Sequence, residues 1–521
     1  MELSKNNEQR NYWILAAIFM AAKLCLHLFT FSGYELHRDE MLYFNMGSHP
    51  AFGYLTVPPV TGWFAFLIKN IFGHSVFGIK LIPALFGAAT LFIVAKTVRE
   101  LGGGILALSI ASVVYLLTPG FLLLFSLFTP NAIEYFLWSL AIYLIFRMTD
   151  TENPRMWIWI GIVLGLSFNT KYSVAFLIAG FFMSLLISKQ RKLLFTWWFA
   201  AGIFAGLLLI LPNILWQYNH NWPVFNHFKE LKETQISNLK YSHFFTDLFN
   251  LNSAFLLVWI FGLGTLLFVG NEKKYRFLGI GILFTLLIFI GFKGKAYYVS
   301  GLLPFLVAFG GFAIEKYIKQ RVAVIAGLSL LSVYAMLSLP FVLPVLSFKT
   351  LEKYAEKTKS WVAAPFMRWE DGAEYPISQV FADMTGWREL TGYVTLAFNS
   401  LSNDEKQHCT VYCQRSYGYA GAVHFYGKSS GLPQPVTFHE SYIFWAPDSI
   451  PEEPIIYVSY NSDEFQPLFN EITEIGCVQD AYFREKGMKV FLCKNPKTNI
   501  QEVYRNAVFN ERKRFTKPIK N

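Results

Sequence analysis

The chain has 521 residues, of which 54% are hydrophobic, 18% aromatic and 15% charged, with a formal net charge of +10. Soluble domains carry roughly 45–50% apolar and about 25% charged residues, so a string of soluble domains is excluded. The 52 Phe and 5 Cys exclude a disordered chain and a disulfide scaffold, and the basic residues sit in short clusters between apolar runs, as in a polytopic membrane protein and not as in a nucleic-acid-binding stripe.

A membrane-crossing helix needs about 20 apolar residues, because roughly 30 Å of hydrocarbon divides by 1.5 Å of rise per residue. That ruler predicts helices over 12–31, 76–98, 104–118, 131–147, 156–169, 172–188, 194–215, 253–270, 276–292, 297–314 and 322–345. The count is about eleven, with 58–72 as a further membrane-embedded piece. The first segment follows Lys5 and Arg10 and is too long for a signal-peptide core, so it reads as an uncleaved anchor. With a cytoplasmic N-terminus, alternate loops collect the basic residues, from Lys96 and Arg99 through Lys189, Arg191 and Lys192 to Lys316, Lys319 and Arg321. The opposite short loops hold little beyond Arg38, Lys171, Lys293 and Lys295. The positive-inside rule then fits every turn, and an odd span count puts the chain beyond about 346 outside the cytoplasm.

Two segments break the apolar pattern on that outer side. Residues 32–57 are dense in His, Asp, Glu, Tyr and Gly, and 216–250 opens WQYNHNWPVFNHF. Loops of this length are uncommon unless functional, so both are candidate walls of an outward-facing cavity. From about 346 the composition becomes that of a soluble domain. Lys349 to Trp361 reads as a charged connecting helix, residues 386–400 as a helix, and CTVYC (409–413), PIIYVSY (454–460) and KVFLC (489–493) as strands. The expected architecture is an α-helical polytopic membrane core over 1–345, carrying both outer loops, followed by an extracytoplasmic α/β domain over 346–521. Cys409 and Cys413 would stand roughly 13 Å apart on one strand, too far for a mutual bridge. Pairing with Cys477 or Cys493 and buried free thiols both stay open.

The sharpest chemical feature is His37-Arg38-Asp39-Glu40. It reads either as a solvated turn with an Arg38–Glu40 ion pair or as a general base with a second carboxylate that positions a hydroxyl, a cation or a metal ion. A ring of outer-side groups accompanies it: Glu134 one turn after Thr129-Pro130-Asn131, Asn169, Lys171 and Tyr172 in one short turn, and Lys293, Lys295, Tyr297 and Tyr298 in another. Single lysines there commonly snorkel to headgroups, but lysines at an outer boundary also suit an anionic leaving group such as a lipid phosphate. Lys23 and His27, one turn apart in the first helix, read as structural, with Lys23 on a carbonyl or carboxylate. The stretch QRSYGYAGAVHFYG (414–427) lacks a phosphate-loop pattern and reads as a strand-to-helix turn or a contact surface.

HRDEMLYF (37–44), FGYLTVPPV (52–60), FGIKLIPALFGA (77–88), LSFNTKYSVAFL (166–177), LPNILWQYNHNWP (211–223) and KAYYVSGLLPFLVAFGG (295–311) together resemble glycosyltransferase family 39, the dolichyl-phosphate-mannose–protein mannosyltransferase type. Its bacterial relatives include protein O-mannosyltransferases and the lipid A aminoarabinose transferase. The resemblance covers most of 30–315 and, more loosely, 380–445. It implies a GT-C fold in a multi-pass inner membrane and transfer, usually with inversion, of a sugar from a polyprenyl-phosphate donor to a protein, lipid or glycan acceptor. It maps the catalytic acid pair onto Asp39 and Glu40 and places Lys171, Lys295 and Arg38 near the donor phosphate. His37, Tyr54, Glu134, Asn169, Tyr172, Trp216, Tyr297 and Tyr298 become candidate substrate-cavity residues. The resemblance fixes no cofactor and leaves a divalent metal ion open. Where relatives often have an acidic residue and His before Pro-Pro, this chain has Thr56-Val57-Pro58-Pro59, which weakens the case for that metal. The alternatives are a transporter or flippase of a lipid-linked sugar, which the one-sided placement of the polar groups disfavours, and a non-catalytic membrane protein with an external binding module.

Overall fold

The structure, a computed structural model, describes residues 2–30, 33–234, 241–252, 255–414 and 416–515. Ser32 of the first outer loop, 235–240 of the second, 253–254 at the head of one expected helix, and Arg415 lie outside the described residues. The chain forms two compact units that do not follow its linear order. One takes Met1–Phe31, Lys80–Ile214 and Phe228–Val345; the other takes Ser32–Ile79, Leu215–His227 and Leu346–Asn521.

The first unit is a helical bundle. Every apolar stretch read from the sequence is helical among the described residues. Among the described residues seven helices are long and apolar enough to cross a membrane, and up to nine spans result if each of two bent pairs counts as one. The shorter apolar helices Val60–Phe72, Ile105–Leu117 and Met156–Phe168 account for the short stretches in the sequence reading. Ile105–Leu117 and Met156–Phe168 have 13 residues each, about 20 Å of rise against the roughly 30 Å of a bilayer core. The first of these stops at Thr118, which takes an extended conformation (ψ 120°) ahead of Pro119. A residue before proline is pushed out of the helical region.

Helices in such a bundle gain little from the hydrophobic effect against lipid and pack by close backbone approach. Met156–Phe168 carries Gly161 and Gly165, and Trp197–Asn219 carries Gly202 and Gly206. A Cβ on Gly161 would strike the Gly202 carbonyl, and one on Gly165 would come within 2.9 Å of the Gly206 carbonyl oxygen. Two small-xxx-small faces thus meet.

Basic groups inside the bundle rest on backbone oxygens. Lys23 Nζ donates to the Phe121 carbonyl at 3.1 Å and lies 5.1 Å from the Tyr115 ring centroid, which is the structural role expected of it.

The second unit holds a four-stranded sheet in the order β1-β2-β4-β3, with β1 Thr410–Cys413, β2 Ile455–Ser459, β3 Phe469–Cys477 and β4 Lys489–Pro496. β1 and β2 pair in parallel with Val411 opposite Ile456, and β4 runs antiparallel to both of its neighbours. All of β2 is buried, and Tyr457, Phe465, Phe469, Phe491 and Tyr504 gather in the core beside it. β3 escapes the sequence reading because it is an edge strand whose Glu471 and Glu474 face solvent, the usual protection of an edge against pairing.

The helices Phe348–Thr358 and Trp387–Asn399 match expectation, and the stretch read as a strand-to-helix turn follows β1 and enters the Tyr417–Tyr426 helix. Gly421 is what lets that helix approach the Arg38–Met46 helix, since a Cβ there would come within 2.8 Å of Met41 Cβ. All five cysteines are free.

Candidate active site

The run Glu35-Leu36-His37-Arg38-Asp39-Glu40 leads into the Arg38–Met46 helix, and its charged side chains serve different ends. Glu35 accepts from the backbone N–H groups of Trp387 at 2.6 Å and Arg388 at 3.2 Å. It thereby caps the Trp387–Asn399 helix, whose own N-cap, Gly386, has no side chain to do so. A helix N-terminus favours a carboxylate, yet burial outweighs these hydrogen bonds and pushes Glu35 up to about 7.

His37 is the N-cap of its helix. Its Nδ1 accepts from the Asp39 N–H at 3.2 Å, while Glu40 Oε2 accepts from the His37 N–H at 3.0 Å. This is a capping box with histidine in the place usually held by Ser or Thr, and it buries Glu40 completely.

Arg38 points into an acidic cluster, with Nη1 3.9 Å from Asp383 Oδ1 and 3.6 Å from Glu485 Oε1. The guanidinium carbon lies 4.7 Å from the Tyr417 ring centroid. Asp383 also faces Arg484 Nη1 at 3.1 Å and His37 Nε2 at 3.7 Å. Burial raises the Asp383 pKa, against the pull of His37, Arg38 and Arg484.

Asp39 differs from its neighbours. Its side chain is 36% exposed, its Oδ1 accepts from the Tyr417 hydroxyl at 2.6 Å, and its Oδ2 lies 3.9 Å from His37 Nδ1. Tyr417 is itself fixed, stacked on His439 at 5.3 Å with its backbone N–H on His439 Nδ1. Burial, reinforced by Asp39, holds the Tyr417 phenol far above its usual range, so it remains a donor. Burial and Arg38 push His439 down to about 4, which leaves it a neutral acceptor.

A second cluster lies in the helical bundle. Pro130 opens the Pro130–Thr151 helix, with Asn131 on its first turn and Glu134 three residues on along the same face. The turn before Val174–Ile187 brings Lys171 to that face, where Nζ donates to Asn131 Oδ1 at 2.6 Å and lies 3.6 Å from Glu134 Oε2. The Ser173 hydroxyl donates to Glu134 Oε1. Tyr298 and Tyr297 present ring faces to Lys171, with centroids 4.0 and 5.4 Å from Nζ. Their 3₁₀ turn, Ala296–Leu302, is pinned where Tyr135 donates to the Tyr297 carbonyl at 2.7 Å and Ser139 to the Gly301 carbonyl at 3.2 Å.

The structure thus brings together four of the outer-side residues singled out in the sequence: Glu134, Lys171, Tyr297 and Tyr298. Asn169 and Tyr172 turn instead to the Trp197–Asn219 helix, donating to the Leu209 carbonyl at 2.8 Å and to Asn213 Oδ1 at 3.1 Å. Lys295 is the N-cap residue of the Ala296–Leu302 turn. Tyr54 is buried, its hydroxyl donating to the Met46 and His49 carbonyls at 3.1 Å each. Trp216 stacks on His220 with centroids 4.0 Å apart.

Sequence reasoning missed Asp383, Arg484 and Glu485, which carry no local motif. It flagged the stretch containing Tyr417 without seeing its hydroxyl as the partner of Asp39. Among the described residues, no group of three or more His, Cys, Asp or Glu side chains is placed to hold a metal ion.

Comparison with known proteins bears on these arrangements. The family model for dolichyl-phosphate-mannose-protein mannosyltransferase matches residues 56–216, a segment that carries Glu134, Asn169, Lys171 and Tyr172 and begins after the Asp39 motif. Two solved structures of ArnT from Cupriavidus metallidurans superpose over nearly the whole chain. The apo form gives a TM-score of 0.62 at 13% identity, covering 93% of this chain and 98% of that one. The form bound to undecaprenyl phosphate gives 0.61 at 12% identity, covering 92% and 97%. The fold is GT-C. The lipid A galacturonosyltransferase RgtD of Rhizobium johnstonii is 23% identical over 205 residues, 39% of this chain. That match spans 43% of the curated relative's length. The family resemblance read from the motifs therefore holds, and its members among these comparisons are glycosyltransferases.

Proposed function

We propose that the chain is an integral membrane glycosyltransferase that passes a sugar from a polyprenyl-phosphate donor to an extracytoplasmic acceptor with inversion. Its N-terminus is cytoplasmic, and residues 346–521 lie outside. The observation that carries this reading is the unequal use of the HRDE motif. Glu40 and His37 cap a helix and Arg38 is paired, whereas Asp39 keeps an exposed carboxylate held by one hydrogen bond from Tyr417. A carboxylate so placed suits a general base.

In the proposed step the acceptor hydroxyl oxygen bonds to the anomeric carbon while its proton passes to Asp39. The bond from that carbon to the phosphate oxygen breaks, and polyprenyl phosphate leaves with the electron pair. A phosphate leaving group needs counter-charge rather than a proton, and Lys171 and Lys295 are assigned that role. The rings of Tyr297 and Tyr298 fix the Lys171 ammonium by cation–π attraction. Glu40 acts on Asp39 by holding the helix that presents it. The ArnT structure with undecaprenyl phosphate supports the donor class. Residues 346–521 shape acceptor access and supply Tyr417 as a positioning residue.

The test is purified full-length protein in nanodiscs with a panel of polyprenyl-phosphate sugars, read by mass spectrometry of donor and extracted acceptors. Consumption of one donor with a matching mass gain on an acceptor supports the reading. Movement of an intact lipid-linked sugar between leaflets would replace it with the transporter reading.

A further inference from the structure

The Val60–Phe72 helix has 13 residues, about 20 Å of rise, too short to cross a bilayer. Its buried side includes Ala65 and Ile68, yet Phe66, Leu67, Ile71 and Phe72 are exposed. An apolar exposed face on a short helix is suited to lying in the interface between headgroups and acyl chains.

The polar side of the same helix end carries a concentration of basic groups. Lys69 Nζ donates to the Ser48 hydroxyl, lies 3.4 Å from His424 Nε2, and stands 4.5 Å from the Phe44 ring centroid. The His74 and His424 ring centroids are 5.7 Å apart. His49 stacks on Trp445 at 4.4 Å and meets Gln434 Nε2 at 3.1 Å. The side chains that act most on these groups are themselves basic. Burial and Lys428 push Lys69 down to about 8, and burial with Lys69, His74, His49 and Lys428 pushes His424 down to about 3. Mutually repelling cations beside neutral histidines attract an anion, whose binding relieves the repulsion.

We propose that Lys69, Lys428, His49, His74 and His424 form a binding site for the phosphate headgroup of an anionic membrane lipid, with the exposed face of the Val60–Phe72 helix lying among its acyl chains. The basic cluster supplies charge complementarity, and the adjacent Phe66, Leu67, Ile71 and Phe72 select a lipid over a soluble phosphate. The site stands apart from the transfer chemistry and does not rest on it.

Native mass spectrometry of the full-length protein released from mixed micelles tests this with phosphatidylglycerol, phosphatidylcholine and inorganic phosphate. The expected result is roughly tenfold tighter retention of phosphatidylglycerol than phosphatidylcholine, about 1.4 kcal/mol. The Lys69→Gln/Lys428→Gln variant should lose that preference, and Lys69→Arg/Lys428→Arg should keep it. Equal retention of the two lipids by the wild-type chain would overturn the site without need of any variant. Displacement of phosphatidylglycerol by inorganic phosphate at matched concentration would overturn the lipid assignment and leave a free-anion site.

Discussion

The Arg38–Met46 helix and the Pro130–Thr151 helix each carry a completely buried glutamate near the N-terminal end, and the two are satisfied by different means. Glu40 is answered by the backbone N–H of His37 within a capping box, so its partner belongs to the same turn of chain. Glu134 is answered by Lys171 and Ser173, side chains from about forty residues away. A local cap survives most changes around it. A buried pair between distant elements is strong only while both members are present, because removing one strands the other charge. The first arrangement builds a rigid platform, and the second builds a charged site that responds sharply to substitution.

The largest expected effect follows from that contrast. Lys171→Met should lower stability by about 3 kcal/mol by stranding Glu134, read as the melting temperature in detergent. The Glu134→Leu/Lys171→Met double variant should recover most of the loss. Additive losses would show that the two side chains do not form a unit.

Tyr417→Phe comes next. A hydrogen bond to a charged group contributes about 1.5–3 kcal/mol, so kcat should fall roughly tenfold or more. KM should change little, because the hydroxyl positions Asp39 and holds no substrate, and the melting temperature should fall by no more than the loss of one hydrogen bond explains. A larger fall in melting temperature would make Tyr417 a structural residue instead.

The smallest effect concerns pH. Glu35 sits at about 7 in the folded chain against an ordinary 4.5. Between those values the folded state binds more protons than the unfolded state, so stability falls as pH rises through that window. Wild type should therefore lose melting temperature relative to Glu35→Gln from about pH 4.5 to about pH 7 and run parallel above it. Parallel curves throughout would refute the sign.

Much of this was legible in the sequence, and the omissions have physical causes. Apolar runs mark helices well because burial in lipid demands them, and the short runs at 104–118 and 156–169 are helices of 13 residues each. The linear boundary at 346 hid that residues 32–79 and 215–227 fold compactly with 346–521, since pairing at a distance leaves no local pattern. The motif at 37–40 was visible as chemistry. Its division into caps, a paired arginine and one open carboxylate was not, because that division depends on Asp383, Glu485 and Tyr417, hundreds of residues downstream.

In the proposed reaction Asp39 alone in its motif carries the chemistry while its neighbours carry the structure. Donor consumption by Asp39→Asn beside wild type, with the melting temperature of each, tests it most directly. The predicted result is a loss of at least about a hundredfold in transfer with the melting temperature unchanged. Transfer at the wild-type rate by a folded Asp39→Asn chain would contradict it.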